Sequence, residues 1–330
     1  MTLRWAILGT SFISHTVARA IAESPGSETV VVMGRDPKRL AEFQARYGIA
    51  HTFTAIDDAV GHADVDALYV GLPNHLHHEA ARAAARAGRA ILSEKSLTVT
   101  VEQAEQLVDS VRGRVFFVEG LMYLAHPIIH RFAEVLADGR IGRLRAIHAS
   151  YVADIAHLVN PAGGGAIFNL GCYPASLAQL VIDLIDGEAA FDGASIVASG
   201  NRSTADGNVS ETTALLHTSS GVIASIHTSE TYGMAWTFAA QGTRGTLRFI
   251  SNPWLPGRGP NTFEWVPFDG PAETFTVDDP LDAFDHQIRL VERAVAAGDL
   301  EATRPSPRLN DSLRLMKTLT TWESLARCSN

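Results

Sequence analysis

Cysteine is nearly absent: Cys172 and Cys328 are the two in 330 residues, far apart and without C-x-x-C spacing. That excludes a disulfide framework and a cysteine-based zinc site. Basic residues are also in short supply. The 27 Lys and Arg face 36 Asp and Glu, and a net charge of −9 argues against a dedicated nucleic-acid binder, which carries a basic face. No apolar run approaches the roughly 20 residues of a membrane span; Leu170–Ile185, the most apolar long stretch, is broken by Pro174, Gln179 and Asp183. The opening MTLRWAILGT passes into a strand pattern without a signal-peptide core, so a cytoplasmic location is expected. Repeats and low-complexity segments are missing too. What is present is a chain 46% hydrophobic, long enough for about two globular domains of roughly 100–200 residues each. The expected partner is a small molecule, with neither nucleic acid nor membrane.

The first 120 residues alternate short β-branched runs with Ala-rich helical patterns. Strands are expected at Leu3–Leu8, Thr29–Met33, Ala67–Val70, Ala90–Ser93 and Val115–Val118, and helices at Asp36–Tyr47, His75–Ala87 and Val101–Ser110. Parallel strands need a crossover that a helix supplies, so this alternation predicts a doubly wound α/β sheet of Rossmann type. A helix over Pro127–Ala137 follows. From Leu144 to Phe268 strand signals dominate: AIHASYVAD, ASIVASG, TTALLHT, VIASIHTSE, WTFAAQG and TLRFI, interrupted by a helix over Gly171–Ile185. Helices over Asp282–Ala297 and Leu309–Ala326 close the chain. This second part reads as an α+β domain on a large, open, mostly antiparallel sheet. The boundary is placed at 1–122 and 123–330, with the last helices able to pack back on the first domain.

Gly9-Thr10-Ser11-Phe12-Ile13-Ser14 follows the first strand and opens the first helix, where a dinucleotide fold sets a pyrophosphate against backbone N–H groups. One glycine of G-x-G-x-x-G survives; Ser11 and Ser14 stand at the other two positions, and a plain βα turn accounts for the pattern about as well. The second strand ends in Gly34-Arg35, with Arg39 four residues on. An acidic residue there would bind a ribose 2′-hydroxyl. A guanidinium suits a 2′-phosphate, which favours NADP over NAD, with NAD the alternative and solvated surface arginines the bland reading.

Gly71-Leu72-Pro73-Asn74-His75-Leu76-His77, an Ala-rich helix, and Gly88-Arg89-Ala90-Ile91-Leu92-Ser93-Glu94-Lys95 come next. Together they resemble the PNxxH…AGKHVxxEKP signature of the glucose–fructose oxidoreductase/inositol dehydrogenase/rhizopine-catabolism (Gfo/Idh/MocA) family. Gly163-Gly164-Gly165-Ala166-Ile167-Phe168-Asn169-Leu170-Gly171-Cys172-Tyr173 is similar to its GGGxxxDxGxY/H motif, and Gly242-Thr243-Arg244-Gly245-Thr246-Leu247 to its GTxGxL hairpin. Glu119-Gly120-Leu121-Met122-Tyr123 with His126-Pro127 resembles the EAFMYRxHP segment of the dihydrodiol and xylose dehydrogenase branch. The resemblance runs from residue 9 to 247 in family order.

That resemblance implies an NADP-dependent oxidoreductase moving a hydride between nicotinamide and a carbinol or carbonyl carbon of a sugar, cyclic polyol or diol. Lys95 and Tyr173 stand at the catalytic positions, Tyr173 exchanging the hydroxyl proton and Lys95 favouring the phenolate. Cofactor contacts are expected from Gly9, Thr10, Ser11, Phe12, Ile13, Gly34, Arg35, Arg39, Leu72, Pro73, Asn74, His77, Glu94 and Lys95. Substrate contacts are expected from Tyr123, His126, Asn160, Asn169 and Tyr173, with loop hydrogen bonding or helix capping as the bland reading for Tyr123, His126 and Asn160. A homodimer or higher homo-oligomer through the open sheet is also implied.

Two positions depart from the pattern. Asn169 replaces an Asp; an amide can hydrogen-bond a hydroxyl but cannot accept its proton. On a continuous helix, Asn169 and Tyr173 would share a face. Ser96 replaces the proline after Lys95, which removes a local constraint on that lysine. Both keep alive a second reading, a cofactor-binding sensor or regulator with weakened turnover. The histidines at 75, 77 and 78 and the pair His126/His130 are not expected to bind metal, because neither group assembles a full ligand set.

Overall fold

The computed structural model describes residues 2–328, which form two compact units, one of residues 2–122 with 283–313 and another of 123–282 with 314–328. In the first unit, strands β1 (Leu3–Leu8), β2 (Ser27–Met33), β3 (His51–Phe53), β4 (Ala67–Val70), β5 (Ala90–Glu94) and β6 (Phe117–Gly120) alternate with helices. These are α1 (Phe12–Glu23), α2 (Pro37–Tyr47), α3 (Ile56–Val60), α4 (His77–Arg86) and α5 (Val101–Val111). Among the described residues the strands form one parallel sheet in the order β3-β2-β1-β4-β5-β6, the doubly wound nucleotide-binding topology. Local chemistry sets the helix ends. Asp36 accepts from the N–H groups of Lys38 and Arg39 with Pro37 at the first helical position, and Gly48 ends α2 in the left-handed region.

The second unit opens with α6 (Pro127–Ala137), β7 (Leu144–Ala153), α7 (Cys172–Asp186) and α8 (Glu188–Asp192). It continues through β8 (Ser195–Arg202), β9 (Val209–His217), β10 (Ile223–Ser229), β11 (Met234–Gly242), β12 (Gly245–Phe249), β13 (Gly259–Pro267) and β14 (Glu273–Asp279). Helices α9 (Ala283–Ala297) and α10 (Leu309–Arg327) end the chain. The sheet order is β14-β13-β12-β11-β7-β10-β9-β8, antiparallel except where β10 runs parallel to β7. Helix α9 completes the first unit: Ile288 and Val291 share its core with Trp5, Val17, Ile21 and Phe43.

In the second unit α6 and α7 cover one sheet face, and Phe132 stacks on Phe249 at 4.7 Å and meets Phe263 edge-on. The other face alternates outward and leaves Val197, Leu215 and Ile223 exposed. Arg314 is anchored in the interior. Its guanidinium bonds Asp183 at 2.7 and 2.8 Å and also engages Asp192 and the Glu188 carbonyl.

Three expectations need correction. Strand β6 begins two residues later than the apolar run suggested, because Val115 and Phe116 lie in the lead-in. β3, β13 and β14 were not foreseen: β3 is three residues long, and Pro and acidic residues mask the alternation of Phe263, Trp265, Phe275 and Val277. Finally, Ile167–Asp186 does have the length and hydropathy of a spanning helix, but 94% of that window is buried within the fold, as a core helix would be.

Candidate active site

The turn after β1 is built by close backbone approach. Gly9 adopts φ +108°, and a Cβ there would lie 2.6 Å from the Gly71 carbonyl oxygen, so the turn tolerates no side chain. Ser11 caps α1, accepting from the Ser14 N–H at 3.4 Å. Ser14 fits where a third motif glycine would stand because Gly71 lacks a side chain: a Cβ on Gly71 would be 2.7 Å from Ser14 Oγ. Phe12 projects from the start of α1, 69% exposed, with Ile13 half-buried behind it. Arg39 reaches across from α2 and donates to the Thr10 carbonyl at 2.9 Å, while Arg35 is exposed just past the buried Gly34.

His77 fastens two loops together. Fully buried, it places one ring nitrogen 2.7 Å from the Leu72 carbonyl and the other 2.9 Å from that of Ser96. Burial holds its pKa down at about 4, against the pull of the carbonyls. The clamp thus ties the Leu72-Pro73-Asn74 turn to the segment carrying Lys95, where the Lys95–Ser96 peptide is cis. Beneath it lie Glu94 and Glu119. Glu94 accepts from the Tyr69 hydroxyl at 2.8 Å, and burial pushes its pKa up. Glu119, 1% exposed, is pushed up to about 7 by burial, with the Glu94 charge adding to the shift.

In the second unit Tyr173 sits near the start of α7, 6% exposed, with the Tyr151 ring edge-on at 5.4 Å. Burial raises the Tyr151 pKa to about 12. Tyr123 is fully buried, and its hydroxyl lies 3.1 Å from the Tyr173 carbonyl and 2.8 Å from Ser176 Oγ. It therefore braces the first turn of α7 from below, a correction to its expected place in a substrate pocket. His126 is also internal. Its Nδ1 accepts from the Ile128 N–H and caps α6, whereas His130 is exposed. Asn160 caps the short turn Pro161–Gly163 on the surface.

The expected helical register from Asn169 to Tyr173 is interrupted. Ile167–Gly171 forms a π-helical turn ahead of α7, so the two residues do not follow a plain i, i+4 spacing. Asn169 is 7% exposed and its Nδ2 donates to Glu230 Oε2 at 2.7 Å. Glu230 escaped the sequence reading because it lies 61 residues away, just past the end of a strand, with no local motif around it. Gly165 precedes the turn at φ +84°, where a Cβ would lie 2.5 Å from the Val209 carbonyl. A separate group, His51, His62 and Asp64, brings three metal-capable atoms within 4.8 Å of one another at the surface, with Asp64 bonded to Arg4.

A parallel sheet in nucleotide-binding order, with a glycine turn opening α1, together with an α+β unit on a large mixed sheet defines a dinucleotide-dependent oxidoreductase scaffold. Two family models match: an oxidoreductase family with an NAD-binding Rossmann fold over residues 3–118, and the Gfo/Idh/MocA C-terminal domain over 129–248. The chain belongs to the Gfo/Idh/MocA oxidoreductases. Similar proteins include a 1,5-anhydro-D-fructose reductase of Ensifer adhaerens, 32% identical over 74% of each chain. A trans-1,2-dihydrobenzene-1,2-diol dehydrogenase of Bos taurus is 27% identical over 78% of this chain and 76% of its own. A 3-ketoreductase from Actinomadura kijaniata, crystallised with NADP and TDP-benzene, superimposes with a TM-score of 0.84 at 28% identity, covering 98% of both chains.

Proposed function

We propose that this oxidoreductase uses NADP to move a hydride between nicotinamide C4 and a carbinol or carbonyl carbon of a sugar, cyclic polyol or related diol. The observation that carries the reading is the His77 clamp, because it holds the Leu72-Pro73-Asn74 turn and the Lys95 segment on one buried imidazole. In this reading Gly9 to Ile13 receive the pyrophosphate at the N-terminus of α1, and Glu94 and Lys95 complete the cofactor contacts. Arg35, with Arg39 behind it, meets the 2′-phosphate. NADP, when bound, supplies the hydride or takes it. Lys95 supplies a positive charge, Tyr173 carries the hydroxyl proton, and Asn169 orients the substrate. Support comes from the relatives: a sugar reductase and a diol dehydrogenase by sequence, and an NADP-bound ketoreductase by structure.

The test follows nicotinamide absorbance with NADPH, NADP, NADH and NAD against a panel of keto sugars, aldoses, inositols and trans-diols, 1,5-anhydro-D-fructose included. Turnover of at least one member, faster with the phosphorylated cofactor, is expected. No turnover with any pair overturns the reading. We also propose that a second copy covers the exposed sheet face at Val197, Leu215 and Ile223. A monomeric mass by light scattering would refute that.

A further inference from the structure

Glu230 is a buried carboxylate to which the proposed reaction gives no task. It follows β10 directly, 4% exposed. Its backbone is held on both sides: the N–H donates to the Ser210 carbonyl at 3.0 Å, and its carbonyl accepts from the Ile155 and Ala156 N–H groups at 3.0 and 2.9 Å. The side chain thus starts from a fixed point and meets Asn169 Nδ2 at 2.7 Å. A carboxylate has no proton to give, so the nitrogen end of the Asn169 amide faces it. The bond fixes the amide plane and turns Oδ1, an acceptor, away from Glu230.

We propose that Glu230 is a positioning residue that orients Asn169 so that Oδ1 accepts a hydrogen bond from a substrate hydroxyl. This rests on the dehydrogenase reading above and narrows its substrate class to molecules with a hydroxyl donor beside the reacting carbon. The carboxyl group that the family motif carries at position 169 sits one side chain further back, on Glu230. Other titratable groups on the elements packed against this turn divide by sheet face. Tyr151, Cys172 and Tyr173 are buried on the helix side. Glu211 and His227 bond Tyr232 on the opposite side, following the alternation of β9 and β10.

The pairing makes Asn169→Asp an unusual change, because it sets two carboxylates in contact, and such pairs keep a shared proton. Wild type, Glu230→Gln, Asn169→Asp and the double exchange Asn169→Asp/Glu230→Gln are compared from pH 5 to 9. The substrate is the panel member that wild type turns over fastest, and NADPH binding is titrated by fluorescence in each variant. Glu230→Gln should lower kcat/KM about tenfold with NADPH affinity unchanged, since a neutral glutamine meets the amide in either sense and by a weaker bond. Asn169→Asp alone should work best in acid and lose activity as the shared proton leaves. The double exchange should recover activity at neutral pH, with the introduced glutamine amide donating to the new carboxylate, whose second oxygen is again presented as acceptor.

Glu230→Gln within twofold of wild type, or identical pH profiles for Asn169→Asp and the double exchange, overturns the proposal while leaving the dehydrogenase reading in place. Loss of NADPH binding together with turnover in Glu230→Gln would show a purely structural residue and also overturns it. A wild type that turns over no panel member overturns the dehydrogenase reading itself, and the positioning role falls with it.

Discussion

Replacing Glu119 with glutamine should make the first unit more stable in mild alkali and change little in acid. Glu119 is 1% exposed on β6, its neighbour Glu94 is a second buried carboxyl group, and burial lifts its pKa from 4.5 to about 7. Between those values the folded protein holds a proton that the unfolded chain has released, so stability falls as pH rises through the window. A displacement of that size corresponds to about 3 kcal/mol, lost in full above pH 7. His77 opposes it. Its folded pKa of about 4 lies below the ordinary 6.5, so from 6.5 down to 4 the unfolded chain holds the extra proton and stability falls as pH drops, again by about 3 kcal/mol in all. In the wild type the two slopes overlap and largely cancel between pH 4.5 and 6.5. Glu119→Gln keeps the shape and removes the charge, so it should uncover the His77 slope. The variant should match wild type near pH 4.5 and exceed it by about 3 kcal/mol at pH 8. Urea unfolding at pH 5, 6, 7 and 8, followed through tryptophan fluorescence, measures the difference; Trp5 lies in the core of the same unit. A difference that does not change with pH would refute the reasoning, because Glu119 would then titrate alike in both states.

Arg35→Ala should weaken NADPH binding about 10- to 150-fold, the equivalent of losing one charge-assisted contact of roughly 1.5–3 kcal/mol, and leave NADH nearly unchanged; equal losses for both cofactors in fluorescence titrations would dismiss the strand-end argument. Tyr173→Phe should lower kcat on the order of 10²–10⁴-fold with NADPH affinity intact, and near-normal turnover would place the proton transfer on another group. Arg314→Met leaves Asp183 buried without its guanidinium fork and should cost about 3–5 kcal/mol in urea unfolding. A loss below about 1 kcal/mol would mean that Asp183 relaxes to solvent or takes up a proton at little cost.

Much of the fold was legible because its signals are local. Strand β4 is an unbroken apolar run and β5 opens on one, both buried on both sides, and α6 carries its start signal in His126-Pro127, so the residues themselves announce the elements. The elements that escaped lack such signals. β3 is too short for a period to register, and β14 alternates Phe275 and Val277 with acidic and hydroxyl residues that read as loop. The π turn at Ile167–Gly171 was invisible for a different reason. An extra residue in a helical turn leaves composition unchanged, and the Asn169 bond to Glu230 beside it reaches a residue 61 positions away.

The departures from the family motifs are better understood by what the fold sets against them than as losses. Ser14 stands where the motif has glycine, and the room it needs is made by Gly71, at the end of another strand. Ser96 stands where the motif has proline, and its carbonyl is held by the buried His77 ring. Asn169 stands where the motif has a carboxylate, and Glu230 brings one to its amide. In each case the neighbouring group lies between 19 and 61 residues away in sequence and in hydrogen-bonding or van der Waals reach in space. A motif scored along the chain counts Ser14, Ser96 and Asn169 as mismatches, as it does Ser11; in space each of these three meets a group from elsewhere in the chain. A buried polar group carries a cost of several kcal/mol when left unpaired, and the Asn169 amide is paired by Glu230. The Asn169–Glu230 pair therefore places the decisive experiment at those two residues rather than at Lys95 or Tyr173.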